Sequence, residues 1–281
     1  MKKLLITGCS GQLGRALNRV YEGEQVQIIN TDVPELDITN LDAVMRFVRE
    51  QKPDVIMNCA AMTAVDLCES QYEKAFQINA VGPRNLSIAA RETGAKLFQV
   101  STDYVFSGNA DHPYVETDRP DPQSVYGSTK LAGEQFVRDF ADRYFIIRTA
   151  WLYGEGKNFA ATMLRLAESN DTIRVVRDQY GTPTSALELA KMMHVLEPTE
   201  NYGIFHGTCE GQCSWADFAA EIFRQAGKNT NVEYITTAEY PAPAKRPAYS
   251  VLENQMLHLT TDFKMQQWQD ALSVYLKEIL S

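Results

Sequence analysis

Three glycines near the N-terminus constrain the fold of this chain more than any other feature. Gly8, Gly11 and Gly14 follow the apolar run at residues 4–6 and open a segment, residues 12–21, whose apolar side chains have helical spacing. Where such a turn joins a strand to a helix, the first backbone N–H groups of the helix are free to bind an anion. The sequence therefore predicts a dinucleotide site at the first strand, with an ordinary tight turn as the alternative.

Apolar runs and helical patterns alternate through the next 130 residues, which is typical of a parallel sheet covered by helices. The runs are residues 26–30, 54–59, 96–100 and 144–148, and the helical patterns are residues 41–51, 72–93 and 124–140. We therefore predict an α/β fold, a doubly wound parallel (Rossmann) sheet with a smaller C-terminal substrate-binding lobe.

The alternation becomes irregular beyond residue 150, where Gly and Pro divide the chain into short elements. This change predicts a dinucleotide-binding domain that comprises residues 1–150 and about 173–200. Residues 151–172 and 201–281 are expected to form the substrate-binding lobe over the carboxyl edge of the sheet.

Charge and composition exclude several classes of protein. The formal net charge of −9 argues against sequence-independent binding of nucleic acid, because such binding needs clustered cationic side chains. No apolar run has membrane-spanning length, so we expect no membrane partner.

The five cysteines are scattered and no signal-peptide pattern precedes them, which favours reduced thiols in the cytoplasm. His206, Cys209 and Cys213 lack a second ligand pair, so no metal is expected.

Asp32 follows the second predicted strand, where an acidic side chain accepts hydrogen bonds from the adenosine ribose in dinucleotide-binding folds. An exposed loop carboxylate is the alternative. No Arg or Lys adjoins Asp32, which favours NAD without excluding NADP. Asp37 and Ile38 follow and are candidates to meet the adenine, although Asp37 is equally suited to cap the next helix.

Two Tyr–Lys pairs are candidates for proton transfer. Tyr126 and Lys130 are four residues apart in a helical pattern, so both side chains project from one face. A nearby ammonium favours the phenolate, and we expect Lys130 to lower the pKa of Tyr126. Tyr153 and Lys157 have the same spacing but flank two glycines that disfavour a helix. We therefore prefer the first pair and treat Tyr153 as structural or substrate-lining.

The chain resembles the extended short-chain dehydrogenases/reductases along nearly its whole length. The motifs that carry the likeness are Thr7-Gly8-Cys9-Ser10-Gly11-Gln12-Leu13-Gly14, Asn58-Cys59-Ala60-Ala61, Ser101-Thr102-Asp103-Tyr104-Val105-Phe106, Tyr126 to Lys130, Arg148-Thr149-Ala150-Trp151-Leu152-Tyr153-Gly154, Asn158-Phe159, Asp178-Gln179-Tyr180-Gly181-Thr182-Pro183-Thr184 and Arg246-Pro247.

The resemblance implies a role for each matching residue. Tyr126 would protonate the oxygen of a sugar 4-keto group, Lys130 would hold the nicotinamide ribose, and Thr102 would hydrogen-bond the keto oxygen. A backbone-satisfied hydroxyl is the alternative for Thr102. The cofactor, NADPH or NADH, would meet Gly8, Ser10, Gly11, Gln12, Leu13, Gly14, Asp32, Asp37, Ile38, Cys59, Ala60, Ala61, Thr63, Asn79, Tyr126 and Lys130.

Other residues are candidates for the substrate. Arg246 is suited to a diphosphate because a guanidinium forms paired hydrogen bonds, with an exposed loop cation as the alternative. By family likeness Asp103 would bind a sugar hydroxyl, although a buried structural carboxylate is equally expected there. The same likeness places Trp151, Asn158 and Thr182 in the sugar or base pocket, and Trp151 could instead be core.

The resemblance implies that the chain reduces the 4-keto group of dTDP-4-dehydro-L-rhamnose. Related dehydratases carry an Asp-Glu pair after the threonine, and Tyr104 stands in place of that glutamate here. Another nucleotide-sugar reductase or an epimerase is the nearest alternative. A non-catalytic subunit like the regulatory subunit of methionine adenosyltransferase is a further one. We expect a monomer or a homodimer.

Overall fold

The computed structural model describes residues 1–280. The strands are β1 (Lys2–Thr7), β2 (Val26–Thr31), β3 (Val55–Asn58), β4 (Lys96–Thr102), β5 (Tyr144–Thr149), β6 (Leu152–Tyr153), β7 (Thr172–Val176), β8 (Tyr180–Gly181), β9 (Thr184–Ser185), β10 (Gly203–His206), β11 (Cys213–Ser214) and β12 (Asn231–Ile235). The helices are α1 (Gln12–Val20), α2 (Leu41–Gln51), α3 (Val65–Ser70), α4 (Tyr72–Phe76), α5 (Gly82–Thr93), α6 (Val125–Phe140), α7 (Phe159–Ala167), α8 (Ala186–Leu196), α9 (Trp215–Gln225), α10 (Gln255–Thr260) and α11 (Trp268–Leu280).

A six-stranded parallel sheet forms the centre of the molecule, in the order β10-β5-β4-β3-β1-β2. Neighbouring side chains of each strand point to opposite faces, so Ile6 packs in one core and Leu5 in the other. The chain continues from β1 to β2 on one side and then to β3 on the other. This reversal opens a crevice at the carboxyl ends of β1 and β3, where such folds bind ligands. The predicted fold class is confirmed.

The second half of the chain adds a third core, formed by α7, α9 and α11 around the pair β7 and β12. Ile173, Phe218 and Leu272 are among its buried members. The predicted division into two domains stays a prediction, and two strand pairings bear on it. β7 pairs with β12 outside the large sheet, whereas β10, at residues 203–206, hydrogen-bonds to β5 as an edge strand of that sheet. Periodicity could not show this because strand pairing depends on partners distant in sequence.

The helix predicted at residues 72–93 is interrupted. It comprises α4, a π-helical turn at Gln77–Val81, and α5. Pro83 has no N–H with which to bond the carbonyl of Asn79, which would be its partner in a regular α-helix. That carbonyl faces Gly133 of α6 instead, so closely that a Cβ at Gly133 would lie 2.2 Å from the oxygen. The interruption therefore accommodates the close packing of α6.

The five cysteines are free thiols. His206 donates from Nδ1 to the backbone carbonyl of Tyr114 at 3.1 Å, and Cys209 and Cys213 are buried. Within residues 1–280, no group of three or more His, Cys, Asp or Glu side chains is arranged to hold a metal. In the same part of the chain, no helix is both long and apolar enough to cross a membrane.

We predict that Gly133→Ala destabilises the protein by about 1–3 kcal/mol, because the added methyl must displace the backbone of the π-helical turn. Urea unfolding of the variant measures the loss. Gln135→Ala, at an exposed position of the same helix, should change the free energy of unfolding by less than about 0.5 kcal/mol. Equal stability of Gly133→Ala and the wild-type protein would contradict the close packing of α6.

Candidate functional site

The turn between β1 and α1 has a backbone conformation and close contacts that require glycine at two positions. Gly8 has φ +68°, and a Cβ there would lie 2.7 Å from the backbone nitrogen of Ala60. A Cβ at Gly14 would lie 2.5 Å from the carbonyl oxygen of Gly8, so this residue lets α1 pack against the turn. Gly11 immediately precedes α1. The turn thus leaves room for a pyrophosphate at the start of a helix, and the residues present fit a dinucleotide.

A trough runs across this turn at the carboxyl edge of the sheet, and its two parts share Gly8, Gly11, Cys59 and Ala61. One part, of about 590 Å³, is lined by residues that include Asp32, Asp37, Ile38 and Ala60. The other, of about 580 Å³, is lined by residues that include Ser10, Gln12, Leu13, Gly14, Thr63, Thr102, Asp103, Tyr104, Tyr126, Lys130, Trp151 and Trp215. We call the second part the cleft.

Asp32 bonds back to the glycine turn. Its Oδ2 accepts from the backbone N–H of Ser10 at 2.8 Å, from the Ser10 hydroxyl and from the Cys9 thiol. Burial raises the pKa of Asp32, but the hydrogen bonds from Ser10 and Cys9 outweigh it and lower the pKa below its usual value. The carboxylate is therefore charged at neutral pH in the part of the trough that lies beside the cleft. Asp37 accepts from Thr39, whereas α2 is capped by Asn40.

Tyr126 and Lys130 lie in the first two turns of α6, which Ser124 caps by accepting from the N–H of Gly127. Thr102 ends β4 and faces them, close enough for its hydroxyl to influence the pKa of Tyr126. The Thr102 hydroxyl donates to Asp103 Oδ1 at 2.9 Å. The structure thus brings the predicted phenol and alcohol together in the cleft.

The pKa values of this group are set mainly by burial. Burial raises the pKa of Tyr126, and the neighbouring Thr102 hydroxyl offsets part of this rise. Nζ of Lys130 donates to the Val100 carbonyl at 2.6 Å, and Lys130 is not among the groups that shift the pKa of Tyr126 in this arrangement. Burial lowers the pKa of Lys130 to about 8, against the opposing influence of Glu134 and Cys59. The pKa of buried Asp103 rises to about 6.

The competing pair does not share a helix. Tyr153 lies in β6 with its side chain 1% exposed, and its ring packs against Phe218 and Tyr275. Lys157 lies in the loop that follows and lines the cleft. Tyr153 is therefore a core residue, and the geometry favours Tyr126.

Three other candidates lie outside the wall of the cleft, and the structure gives them supporting contacts. Asn158 caps α7, and its amide donates to the carbonyls of Gly154 and Gly156. Buried Thr182 donates to the Gly211 carbonyl at 2.8 Å. Asn79 holds the backbone N–H and carbonyl of Met62. These contacts engage polar atoms of Asn158, Thr182 and Asn79 within the protein, and the predicted ligand contacts of these residues stay predictions.

Trp151 and Arg246 lie where the substrate end of the cleft was expected. Trp151 lines the cleft with its indole stacked on that of Trp215, at 3.6 Å between ring centroids. Arg246 reaches the rim of the cleft, where it donates to the Tyr104 hydroxyl and pairs with Asp66 at 2.7 Å. Sequence reasoning missed Trp215 and Asp66, because each lies in a helix and only the tertiary fold brings Trp215 to the cleft and Asp66 to Arg246.

The whole chain matches one protein family. The family model described as the RmlD substrate binding domain covers residues 1–281. This chain belongs to that family. The resemblance inferred from the sequence motifs is thereby confirmed.

Named relatives and solved structures of the family are similar to this chain over almost its full length. A dTDP-4-dehydrorhamnose reductase of Aggregatibacter actinomycetemcomitans is 40% identical over 286 residues, with 97% of each chain covered. The crystal structure of a dTDP-4-dehydrorhamnose reductase from Clostridium acetobutylicum has a TM-score of 0.98 and 52% identity, covering 99% of this chain and all of that one. A Bacillus anthracis reductase crystallised with NADP has a TM-score of 0.97 and 42% identity, with 99% and 100% covered.

We predict that Asp32→Asn raises the affinity for NADPH relative to NADH by about fivefold or more, because a charged carboxylate repels a 2′-phosphate. Fluorescence titration of both reduced cofactors measures the ratio of the two dissociation constants. Asp42→Asn, at an exposed position in the first turn of α2, is the control and should leave the ratio unchanged. An unchanged ratio in Asp32→Asn would place the adenosine ribose elsewhere.

Proposed function

We propose that this protein reduces the 4-keto group of dTDP-4-dehydro-L-rhamnose to give dTDP-L-rhamnose, with NADPH or NADH as reductant. The observation that carries the proposal is that Tyr126, Thr102 and Lys130 line one cleft that begins at the glycine turn. The names of the relatives, at 40% and 52% identity, support this substrate.

A reduced nicotinamide, when bound, supplies the hydride that adds to the carbonyl carbon. Tyr126 then gives its proton to the carbonyl oxygen. A phenol whose pKa is raised stays protonated at neutral pH, so the acid is available at the start of each turnover. Thr102 turns its own proton to the same oxygen and stabilises the charge that develops there. Lys130 as an ammonium stabilises the remaining phenolate.

Tyr104 supports reduction over dehydration. Its hydroxyl accepts from Arg246 at 3.2 Å, and its ring packs edge-on against that of Tyr126 at 5.5 Å between centroids. Elimination of water requires a base and an acid close to the reacting carbons. A phenol tied to a guanidinium provides a poor base, whereas carbonyl reduction needs only the acid that Tyr126 supplies.

The same proposal sets the expected surroundings of the protein. Its partner is a small nucleotide sugar, and no nucleic acid takes part. Five free cysteines are compatible with a reducing compartment, so we propose the cytoplasm. We propose a monomer or a homodimer, which light scattering after size-exclusion chromatography distinguishes.

The direct assay follows nicotinamide absorbance with dTDP-4-dehydro-L-rhamnose. We predict stoichiometric oxidation of the cofactor, because a reductase does not regenerate it within one turnover. Tyr126→Phe should lower kcat by at least about a hundredfold, since it removes the general acid and keeps the ring. Binding of the cofactor, measured by fluorescence, should persist. Turnover by well-folded Tyr126→Phe at the wild-type rate would assign the proton to another group.

The pH profile gives an independent prediction. Lys130 is charged below its pKa of about 8 and neutral above it, so kcat/KM should fall as the pH rises through about 8. Tyr126 does not cause this decline, because its pKa is raised. Lys130→Arg keeps a positive charge at all these pH values, so the alkaline decline should disappear from the residual activity. An alkaline decline at the same pH in Lys130→Arg would assign it to another group.

A further inference from the structure

The segment at residues 240–247, which we call the strap, carries Arg246 to the rim of the cleft. Its sequence is Tyr-Pro-Ala-Pro-Ala-Lys-Arg-Pro, and it contains neither helix nor strand. Its three prolines cannot donate backbone hydrogen bonds, so the strap cannot hold itself in place through regular structure. Its position must come from contacts with the body of the protein.

One end of the strap is fixed by packing. A Cβ at Gly108 would lie 2.5 Å from Cβ of Pro247, so the proline ring lies directly on the glycine backbone. Just beyond it, the backbone N–H of Tyr249 donates to the Gly108 carbonyl at 3.0 Å. This end is therefore anchored independently of the charged residues.

The middle of the strap makes a long hydrogen bond from Nζ of Lys245 to Gln123, at 3.4 Å, and two shorter ones to a single carboxylate, that of Asp66. Asp66 is the second residue of α3, a helix whose first residue, Val65, lines the cleft. One carboxylate oxygen of Asp66 accepts from the backbone N–H of Ala244 at 3.1 Å, and the other accepts from Nη2 of Arg246 at 2.7 Å. Asp66 thus fixes both the backbone of the strap and the direction of its guanidinium.

The guanidinium held in this way lies beside the cleft, against one of the side chains that line it. Nη1 of Arg246 donates to the hydroxyl of Tyr104, which lines the cleft beside Tyr126. A guanidinium has five N–H donors, and these two contacts use only part of them. Its side chain is 25% exposed, so the remaining donors can meet an anion at the rim.

We infer that Asp66 is a positioning residue for substrate binding, which holds the strap on the rim so that Arg246 meets the diphosphate of the nucleotide sugar. The inference rests on the proposed function for the identity of the anion. The anchoring of the strap by Asp66 stands on the contacts alone. Without a positioning role, the Asp66 carboxylate would only repel the diphosphate, and its removal would strengthen substrate binding. Weaker substrate binding after its removal therefore identifies a positioning role.

The substitution Asp66→Asn tests the inference. The asparagine oxygen can still accept from Ala244, but its amide cannot accept from Arg246. We expect KM for dTDP-4-dehydro-L-rhamnose to rise about three- to tenfold, with kcat reduced less than about twofold and KM for the cofactor unchanged. Glu73→Gln, at an exposed position of the neighbouring helix α4, is the matched control and should leave all three constants unchanged. An unchanged or lower KM for the sugar nucleotide in Asp66→Asn overturns the inference.

A second measurement needs neither substrate nor turnover. Trypsin cleaves after Lys245 within the strap, whereas Pro247 protects the bond after Arg246. If Asp66 anchors the strap, Asp66→Asn should be cut after Lys245 at least about threefold faster than the wild-type protein and Glu73→Gln, at an unchanged thermal midpoint. Equal cleavage rates overturn the anchoring.

The two measurements separate this inference from the proposed function. Should the wild-type protein fail to reduce the keto sugar, the proposed function fails, and the tryptic cleavage still decides whether Asp66 holds the strap. Protection of Lys245 by added dTDP in the wild-type protein, reduced in Asp66→Asn, would support the diphosphate as the anion. Absence of protection in the wild-type protein would overturn that assignment.

Discussion

A buried ion pair between α6 and β5 holds the candidate catalytic residues in register. Arg148 donates to both carboxylate oxygens of Glu134, with Nη2 at 2.7 Å from Oε2, and both side chains are 2% exposed. Ser101 donates to the same carboxylate. Since Ser101 precedes Thr102 and Glu134 lies one turn after Lys130, one carboxylate fixes the relative positions of the strand end and the helix. Removing either charge would leave the other buried and unpaired, at a cost of about 3–5 kcal/mol.

The same pair shapes the electrostatics of the cleft. Burial alone would lower the pKa of Lys130 further, and the Glu134 carboxylate opposes this. The ammonium therefore stays charged at neutral pH although its side chain is buried. Tyr126 is held protonated by the same burial. The cleft thus keeps a protonated phenol, Tyr126, and a charged ammonium, Lys130, on one helix. A reductase needs such an acid to protonate the carbonyl oxygen.

The elements that local patterns determine could be predicted from the sequence. The strands of the first half, the glycine turn and the Tyr126–Lys130 spacing rest on side-chain period and backbone sterics, which depend on neighbours in the chain. Other features depend on distant partners. β10 joins the large sheet because β5 offers it an edge, and the π-helical turn forms where Gly133 of α6 meets the carbonyl of Asn79. Neither interaction leaves a periodic signal in its own segment.

The cofactor half of the site could be predicted from the sequence more fully than the substrate half, because the first depends on local backbone and the second on distant side chains. The cofactor half is built from backbone, so its requirement is glycine at fixed positions, which a sequence displays directly. The substrate half is built from side chains that meet across long separations, such as Asp66 with Arg246 and Trp151 with Trp215. Each of these residues is ordinary in its own helix or loop. Motifs drawn from a family therefore identify the cofactor half residue by residue. In the substrate half, the family motifs also include residues such as Asn158, whose amide donates to the Gly154 carbonyl and the Tyr275 hydroxyl within the protein.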